Sequence, residues 1–211
     1  MNASNPPISG PIRTLEEILN WTCKPEDIKR QSFISLCHTI PEKQPRVMIC
    51  HDMMNGYHDD RFDQGTDNFD AFSFWNWRNI DVFVYFSHYL LSIPPFTWRV
   101  AAHRHNRLIL ATLIVEEYGI NNLLYKMLSP ANFDLTVDNL VSICVTYQFD
   151  GYLINFETSV DNKFVPTLYK FLSAIRTKLQ AINSRNLVVW YDSIIDTGEL
   201  EYQDTVNDKN V

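Results

Sequence analysis

The chain carries no surplus of positive charge: 18 Lys and Arg stand against 25 Asp and Glu, a net charge of −7. A nucleic-acid surface needs clustered basic side chains, and here they are scattered, so no nucleic-acid partner is expected. Met1 to Asn20 holds three prolines and no apolar run of secretory length, and no later segment is long and uncharged enough to span a bilayer. These absences predict a cytosolic chain with no membrane attachment. Cys23, Cys37, Cys50 and Cys144 lie far apart, without the C-x-x-C pairs of a zinc site, and read as reduced thiols. Outside the secretory route, Asn20-Trp21-Thr22 has no meaning as a glycosylation acceptor. No G-x-G-x-x-G turn follows the first strand-like run, which removes the signature of a dinucleotide fold.

What is there is a chain of 211 residues, 45% hydrophobic and 13% aromatic, the composition of one globular domain with a substantial core. Thr14-Leu15-Glu16-Glu17 has the spacing of a capping box opening a short helix, with Leu15, Ile18 and Leu19 on its apolar side. Residues 1–45 therefore read as an amino-terminal extension with a short helix, and 24–45 as irregular connection.

Beyond it, apolar β-branched runs at about 46–53, 81–88, 107–115, 151–157 and 186–193 alternate with helix-like segments. The clearest helix spans about 163–183, where Val165, Leu168, Leu172, Ile175 and Leu179 recur at helical spacing; 121–148 also suits helices, with Asp134 to Thr136 as a second start. Continuous apolar strands separated by helices predict an α/β fold with a parallel sheet covered on both faces. The repeated β/α unit favours a TIM-barrel type over a doubly wound sheet. An eight-unit barrel takes about 250 residues, and this chain has five strand-like runs, so residues 46–211 read as a partial barrel lacking its carboxyl-terminal units.

Asp150-Gly151-Tyr152-Leu153-Ile154-Asn155-Phe156-Glu157 is the most informative stretch. In an extended chain i and i+2 share a face, so Asn155 and Glu157 project together while Ile154 and Phe156 pack the other way. An amide and an acid at the carboxyl end of an apolar strand stand where parallel α/β folds keep their chemistry. The plain alternative is a strand end with two exposed polar residues.

Several ordered motifs carry a resemblance. His51-Asp52-Met53-Met54-Asn55-Gly56-Tyr57 with Asp59-Asp60-Arg61-Phe62, then Asp81 to His88 with Ile93-Pro94-Pro95, Ala102-His103-Arg104-His105, Asp150 to Glu157 and Trp190-Tyr191-Asp192-Ser193 resemble glycoside hydrolase family 85, over nearly the whole chain. The resemblance implies endo-β-N-acetylglucosaminidase activity: cleavage of the β-1,4 bond between the two core N-acetylglucosamines of N-linked glycans, glycopeptides or free oligosaccharides. It also implies retention and a nucleophile supplied by the substrate's own acetamido oxygen.

Such chemistry explains the residue types. A retaining enzyme with its own nucleophile needs a second carboxylate about 5 Å from the acid, and a substrate nucleophile replaces that carboxylate by a group that orients an amide. Asn155 suits the orienting role and Glu157 the acid/base role, with Phe156 and Tyr191 expected to shield the acid from water. Tyr191 matches a family tyrosine near the acetamido group. Glu116, His88 and Trp98 are further substrate-binding candidates at strand ends or in following loops, and Trp75 and Trp77 offer aromatic faces that suit a pyranose ring or the core equally.

The reaction calls for no metal or cofactor. His51, His103 and His105 lack helical zinc spacing, and Asp59-Asp60 lacks the alternating ligands of a calcium loop. Tyr152 departs from the tryptophan frequent in the family, at a position facing away from Asn155. A chitinase-like barrel is a weaker alternative, because asparagine occupies the orienting position instead of an Asp-rich run. Non-catalytic glycan binding, and an unstable open sheet without a role, are the readings that a partial barrel leaves open. The sequence carries no signal for an oligomeric state.

Overall fold

The structure, a computed structural model, describes residues 8–28, 46–116, 123–205 and 207–209. Its strands are β1 (Met48–Asp52), β2 (Val82–Phe86), β3 (Leu91–Ser92), β4 (Leu108–Val115), β5 (Gly151–Phe156) and β6 (Leu187–Trp190). Its helices are α1 (Leu15–Leu19), α2 (Pro25–Ile28), α3 (Phe96–Arg104), α4 (Leu123–Leu128), α5 (Phe133–Tyr147) and α6 (Val165–Ile182). Each of the five expected strands lies within its run, trimmed by a residue or more at one end or both, and α6 falls within the long apolar stripe.

β1, β2, β4, β5 and β6 form one parallel sheet in that spatial order, with β3 antiparallel on β4. Among the described strands the order never reverses, so they show no switch point of the kind that splits a doubly wound sheet. The sidedness agrees with a barrel. Phe83, Tyr85, Ile109, Leu113, Tyr152 and Phe156 belong to one cluster with the buried faces of α1, α4, α5 and α6. Val82, Val84, Leu108, Leu110 and Leu153 form a second cluster, joined by Phe86, Leu187 and Val189.

Both faces of the sheet are covered, as expected, but by different means. Among the described residues the second face is covered by strand side chains alone, as in the interior of a barrel. Register explains it: Val82 pairs with Leu108 and Leu153 with Val189, so one parity of every strand points inward. The central strands β4 and β5 are buried throughout, whereas β1 alternates between exposed and half-buried residues and β6 is half-buried along its length.

Two local features position the site strand. Gly151 opens β5 at φ +127, and a Cβ there would lie 1.8 Å from the Leu187 carbonyl oxygen, so only glycine lets β6 approach. Just before it, Asp150 is 6% exposed, and its Oδ2 accepts from His103 Nε2 at 2.9 Å and from the Ile109 amide at 2.8 Å. One carboxylate thus ties α3, β4 and β5 together at the foot of the sheet. The amino-terminal segment packs on the same core: Ile12 bridges Leu91, the capping box of Thr14 and Glu17 forms, and Asn139 Nδ2 donates to the carbonyls of Ile18 and Leu19.

Candidate active site

Asn155 and Glu157 leave the carboxyl end of β5 on the inward parity, opposite Ile154 and Phe156, which enter the helix-side core. Asn155 is 3% exposed, and Glu157 is half-buried. A buried amide is costly unless hydrogen-bonded; Asn155 Nδ2 donates to Glu157 Oε1 at 3.1 Å. The Glu157 backbone is held by its N–H donating to the Val115 carbonyl at 2.8 Å, so the acid keeps the strand's register although it lies one residue past β5.

Tyr191 follows β6 on the same parity, its amide donating to the Ile154 carbonyl at 2.9 Å. It is 40% exposed, and its ring lies 6.2 Å from that of Tyr202, whose hydroxyl donates to Glu157 Oε2 at 3.1 Å. Both oxygens of Glu157 thus accept a hydrogen bond, one from a buried amide and one from an exposed phenol. Phe156 does not flank this carboxylate as expected, because its neighbouring position in the pleat turns it toward the helices.

The adjoining strand ends supply a second group. Glu116 follows β4 beside Glu157, and both its oxygens lie within hydrogen-bond range of His88 Nδ1, at 3.2 and 3.3 Å. On the other side of the ring, His88 Nε2 is 4.0 Å from Asp52 Oδ2, and the His88 amide donates to Asn55 Oδ1 at 2.9 Å. This imidazole between two carboxylates is about half exposed and can meet sugar hydroxyls as donor or acceptor.

Trp98 is not brought to these residues. It is 6% exposed and stacks on Phe83, on the outer face of β2, with ring centroids 5.1 Å apart. Its indole donates to Asp60 Oδ2 at 3.1 Å. Trp77 is buried in the same outer layer, whereas Trp75 is 85% exposed. The histidines go three separate ways: His51 packs among Phe74, Phe83 and Trp98, His103 bonds Asp150, and His105 stacks on Trp77. Among the described residues no group of His, Cys, Asp and Glu could hold a metal ion.

Sequence reasoning did not single out Tyr202, Asp52 or Asn55 as site residues. Tyr202 lies 45 residues from Glu157, in a segment folded back by the Ile194–Leu200 bridge, and no periodicity signals it. Asp52 had a signal: it closes β1 on the inward parity, opposite Phe86.

Fold and site together define a barrel-type α/β domain with an amide–carboxylate pair at the carboxyl ends of its parallel strands. Residues 57–211 match the family described as glycosyl hydrolase family 85, and the chain belongs to that family. It is 39% identical over 209 residues to the cytosolic endo-beta-N-acetylglucosaminidase of Mus musculus, covering 97% of this chain and 28% of the relative. Cytosolic endo-beta-N-acetylglucosaminidase 2 of Arabidopsis thaliana is 34% identical over 219 residues, 97% of this chain and 30% of the relative. The glycoside hydrolase domain of Endo-D from Streptococcus pneumoniae R6 superposes with a TM-score of 0.80 at 22% identity, over 98% of this chain and 35% of that chain. The likeness is one of fold, and the chain spans under a third of the length of the curated relatives named here.

Proposed function

We propose that this chain carries the catalytic strand of an endo-β-N-acetylglucosaminidase that cuts between the two core N-acetylglucosamines of N-linked glycans, glycopeptides or free oligosaccharides. The observation that carries the reading is the 3.1 Å contact between buried Asn155 and half-buried Glu157 on the inner face of a family 85 sheet. The reaction is retaining and substrate-assisted. Asn155 gives its Nδ2 to Glu157, which turns its Oδ1 to serve as acceptor for the acetamido N–H of the sugar and to hold the acetamido oxygen against the anomeric carbon. Glu157 protonates the departing glycosidic oxygen, and then takes a proton from the water that opens the oxazolinium ion.

Tyr191 and Tyr202 border this acid, and His88 with Glu116 binds hydroxyls of the same glycan. The relatives named cytosolic support the cytosol as the site of action. No metal or cofactor takes part. The test is release of free glycan from a labelled mannose-rich glycopeptide: the chain cleaves it and Glu157→Gln does not. Equal release by the two chains overturns the reading.

A second reading draws on one observation, the half-buried residues of β6 and the exposed residues of β1 at the two edges of the sheet. Such a sheet binds glycan without turning it over. Saturable glycopeptide binding with no product, in the parent and Glu157→Gln alike, selects this reading.

A further inference from the structure

The chain after β6 doubles back onto the end of the strand that carries the acid. Ser193 is buried, and its hydroxyl donates to the carbonyl of Phe156, the residue before Glu157. The Val160 amide donates to the Gly198 carbonyl at 2.8 Å, and the Glu201 amide to the Ser193 carbonyl at 2.8 Å. Ile194 and Ile195 are buried between these ties. Hydrogen bonds and apolar burial together therefore set where residue 202 stands, and they set it relative to β5 itself.

What Tyr202 brings is a hydroxyl beside one particular oxygen. Glu157 Oε1 accepts from Asn155 Nδ2 at 3.1 Å, and an amide nitrogen only donates. While that bond is made, a proton on Oε1 would point at the amide hydrogen, so the acid carries its proton on Oε2. The Tyr202 hydroxyl stands 3.1 Å from Oε2. A hydroxyl both donates and accepts, so this contact survives a change of protonation: Tyr202 donates to the carboxylate, and accepts from Oε2–H once the acid is protonated. The Oε1 contact is partly buried and the Oε2 contact exposed. The proton-carrying oxygen thus lies on the open side, where a glycosidic oxygen or a water can approach.

We propose that Tyr202 is a positioning residue for the acid/base, its hydroxyl holding Glu157 Oε2 in one orientation in both protonation states; this rests on the reading of Glu157 as the acid/base. In the first step the proton on Oε2 passes to the glycosidic oxygen as that oxygen's bond to the anomeric carbon breaks, and the phenol donates to the carboxylate left behind. In the second step a proton from the attacking water returns to Oε2, and the phenol accepts from it again. Tyr202 itself neither gains nor loses a proton. Without its hydroxyl the carboxyl group still reacts, but from more orientations, fewer of which reach the sugar oxygen.

The test compares the full chain with Tyr202→Phe and Tyr202→Ala on the labelled mannose-rich glycopeptide. Tyr202→Phe keeps the ring, at a position 57% exposed, and so keeps the melting temperature. It lowers kcat about tenfold with KM unchanged, and Tyr202→Ala lowers kcat no further. A role in packing or in stacking on a sugar gives the other order, with Phe equal to the parent and Ala impaired. Glutamate labelled with 13C at its side-chain carboxyl supplies a reading that needs no turnover: the Glu157 signal, identified by its loss in Glu157→Gln, moves in Tyr202→Phe. Turnover equal to the parent's in Tyr202→Phe, or a change confined to KM, overturns the proposal. So does turnover above the parent's, which would make the phenol a competitor of the glycosidic oxygen, and so does a Glu157 signal that stays in place. Should the parent chain not cleave, the cleavage reading fails, and the carboxyl signal alone decides whether Tyr202 holds that oxygen.

Discussion

The Asn155 amide on β5 and the Glu157 carboxylate just past its end face each other two residues apart, with the amide nitrogen donating at 3.1 Å from a position only 3% exposed. The pair is rigid on the Asn155 side and open on the Glu157 side. That asymmetry suits an orienting group beside a proton carrier, and it separates what the two substitutions should do. With a glycopeptide substrate, Glu157→Gln is expected to lower turnover about 10²- to 10⁴-fold with binding retained. Asn155→Ala is expected to lower turnover by about 10²-fold or more. A substrate whose reacting sugar lacks the N-acetyl group should resist cleavage by the parent chain. Steady-state turnover and equilibrium binding of the same glycopeptide measure all three, and efficient cleavage of the de-N-acetylated substrate would exclude the substrate as nucleophile.

Gly151→Ala is expected to destabilise the chain by about 3 kcal/mol or more, through a positive φ and a Cβ driven onto the Leu187 carbonyl. Denaturant titration followed by tryptophan fluorescence reads the loss. Gly65→Ala is its control for backbone strain, because φ there is +75 but nothing lies within 4 Å of the added Cβ; it should cost less.

Asp150→Ala removes the acceptor for both the His103 ring and the Ile109 amide, which are buried. The expected cost is about 3 kcal/mol, with Asp150→Asn cheaper because its amide oxygen, placed where Oδ2 stands, still accepts from both. Thermal melts of the two variants against the parent check the order.

His51 supplies a pH dependence. Burial among Phe74, Phe83 and Trp98 pushes its pKa below the ordinary 6.5, outweighing the nearby carboxylates of Asp52 and Asp60, which pull it up. The folded state then binds this proton less readily than the unfolded chain. Its contribution to stability is accordingly present above pH 6.5 and declines as pH falls from there toward the folded value. His51→Phe should flatten that decline, as read from denaturation midpoints measured across the acid side of neutrality; an identical slope would remove His51 as its source.

Much of the fold was legible because its signals are local. Five apolar runs separated by helical stripes led to the five parallel strands, and the stripe ending at Leu179 led to α6. The facing of Asn155 and Glu157 followed from the two-residue period of a strand alone. The short strand β3 was missed because two residues have no period to read, and its pairing with β4 is a long-range event. The same limit hid Tyr202, which reaches Glu157 only through a return of the chain after β6.

Trp98 shows where sequence and structure part. Its position after a strand and its aromatic face suggested a sugar platform in the site, and the structure stacks it on Phe83 and hands its indole to Asp60. Residue type told what Trp98 could do, and the pleat of β2 decided on which side of the sheet it does it.

By itself, the amino-acid order determined the alternation of strand and helix, the apolar core, and the pairing of an amide with an acid, since each depends on spacing along a few residues. The tertiary structure alone decided that the described helices cover a single face of the sheet, that His88 stands between Asp52 and Glu116, and that a phenol from beyond β6 completes the surroundings of Glu157. These arrangements join side chains tens of residues apart, and only the packing of the sheet against its cover sets their distances.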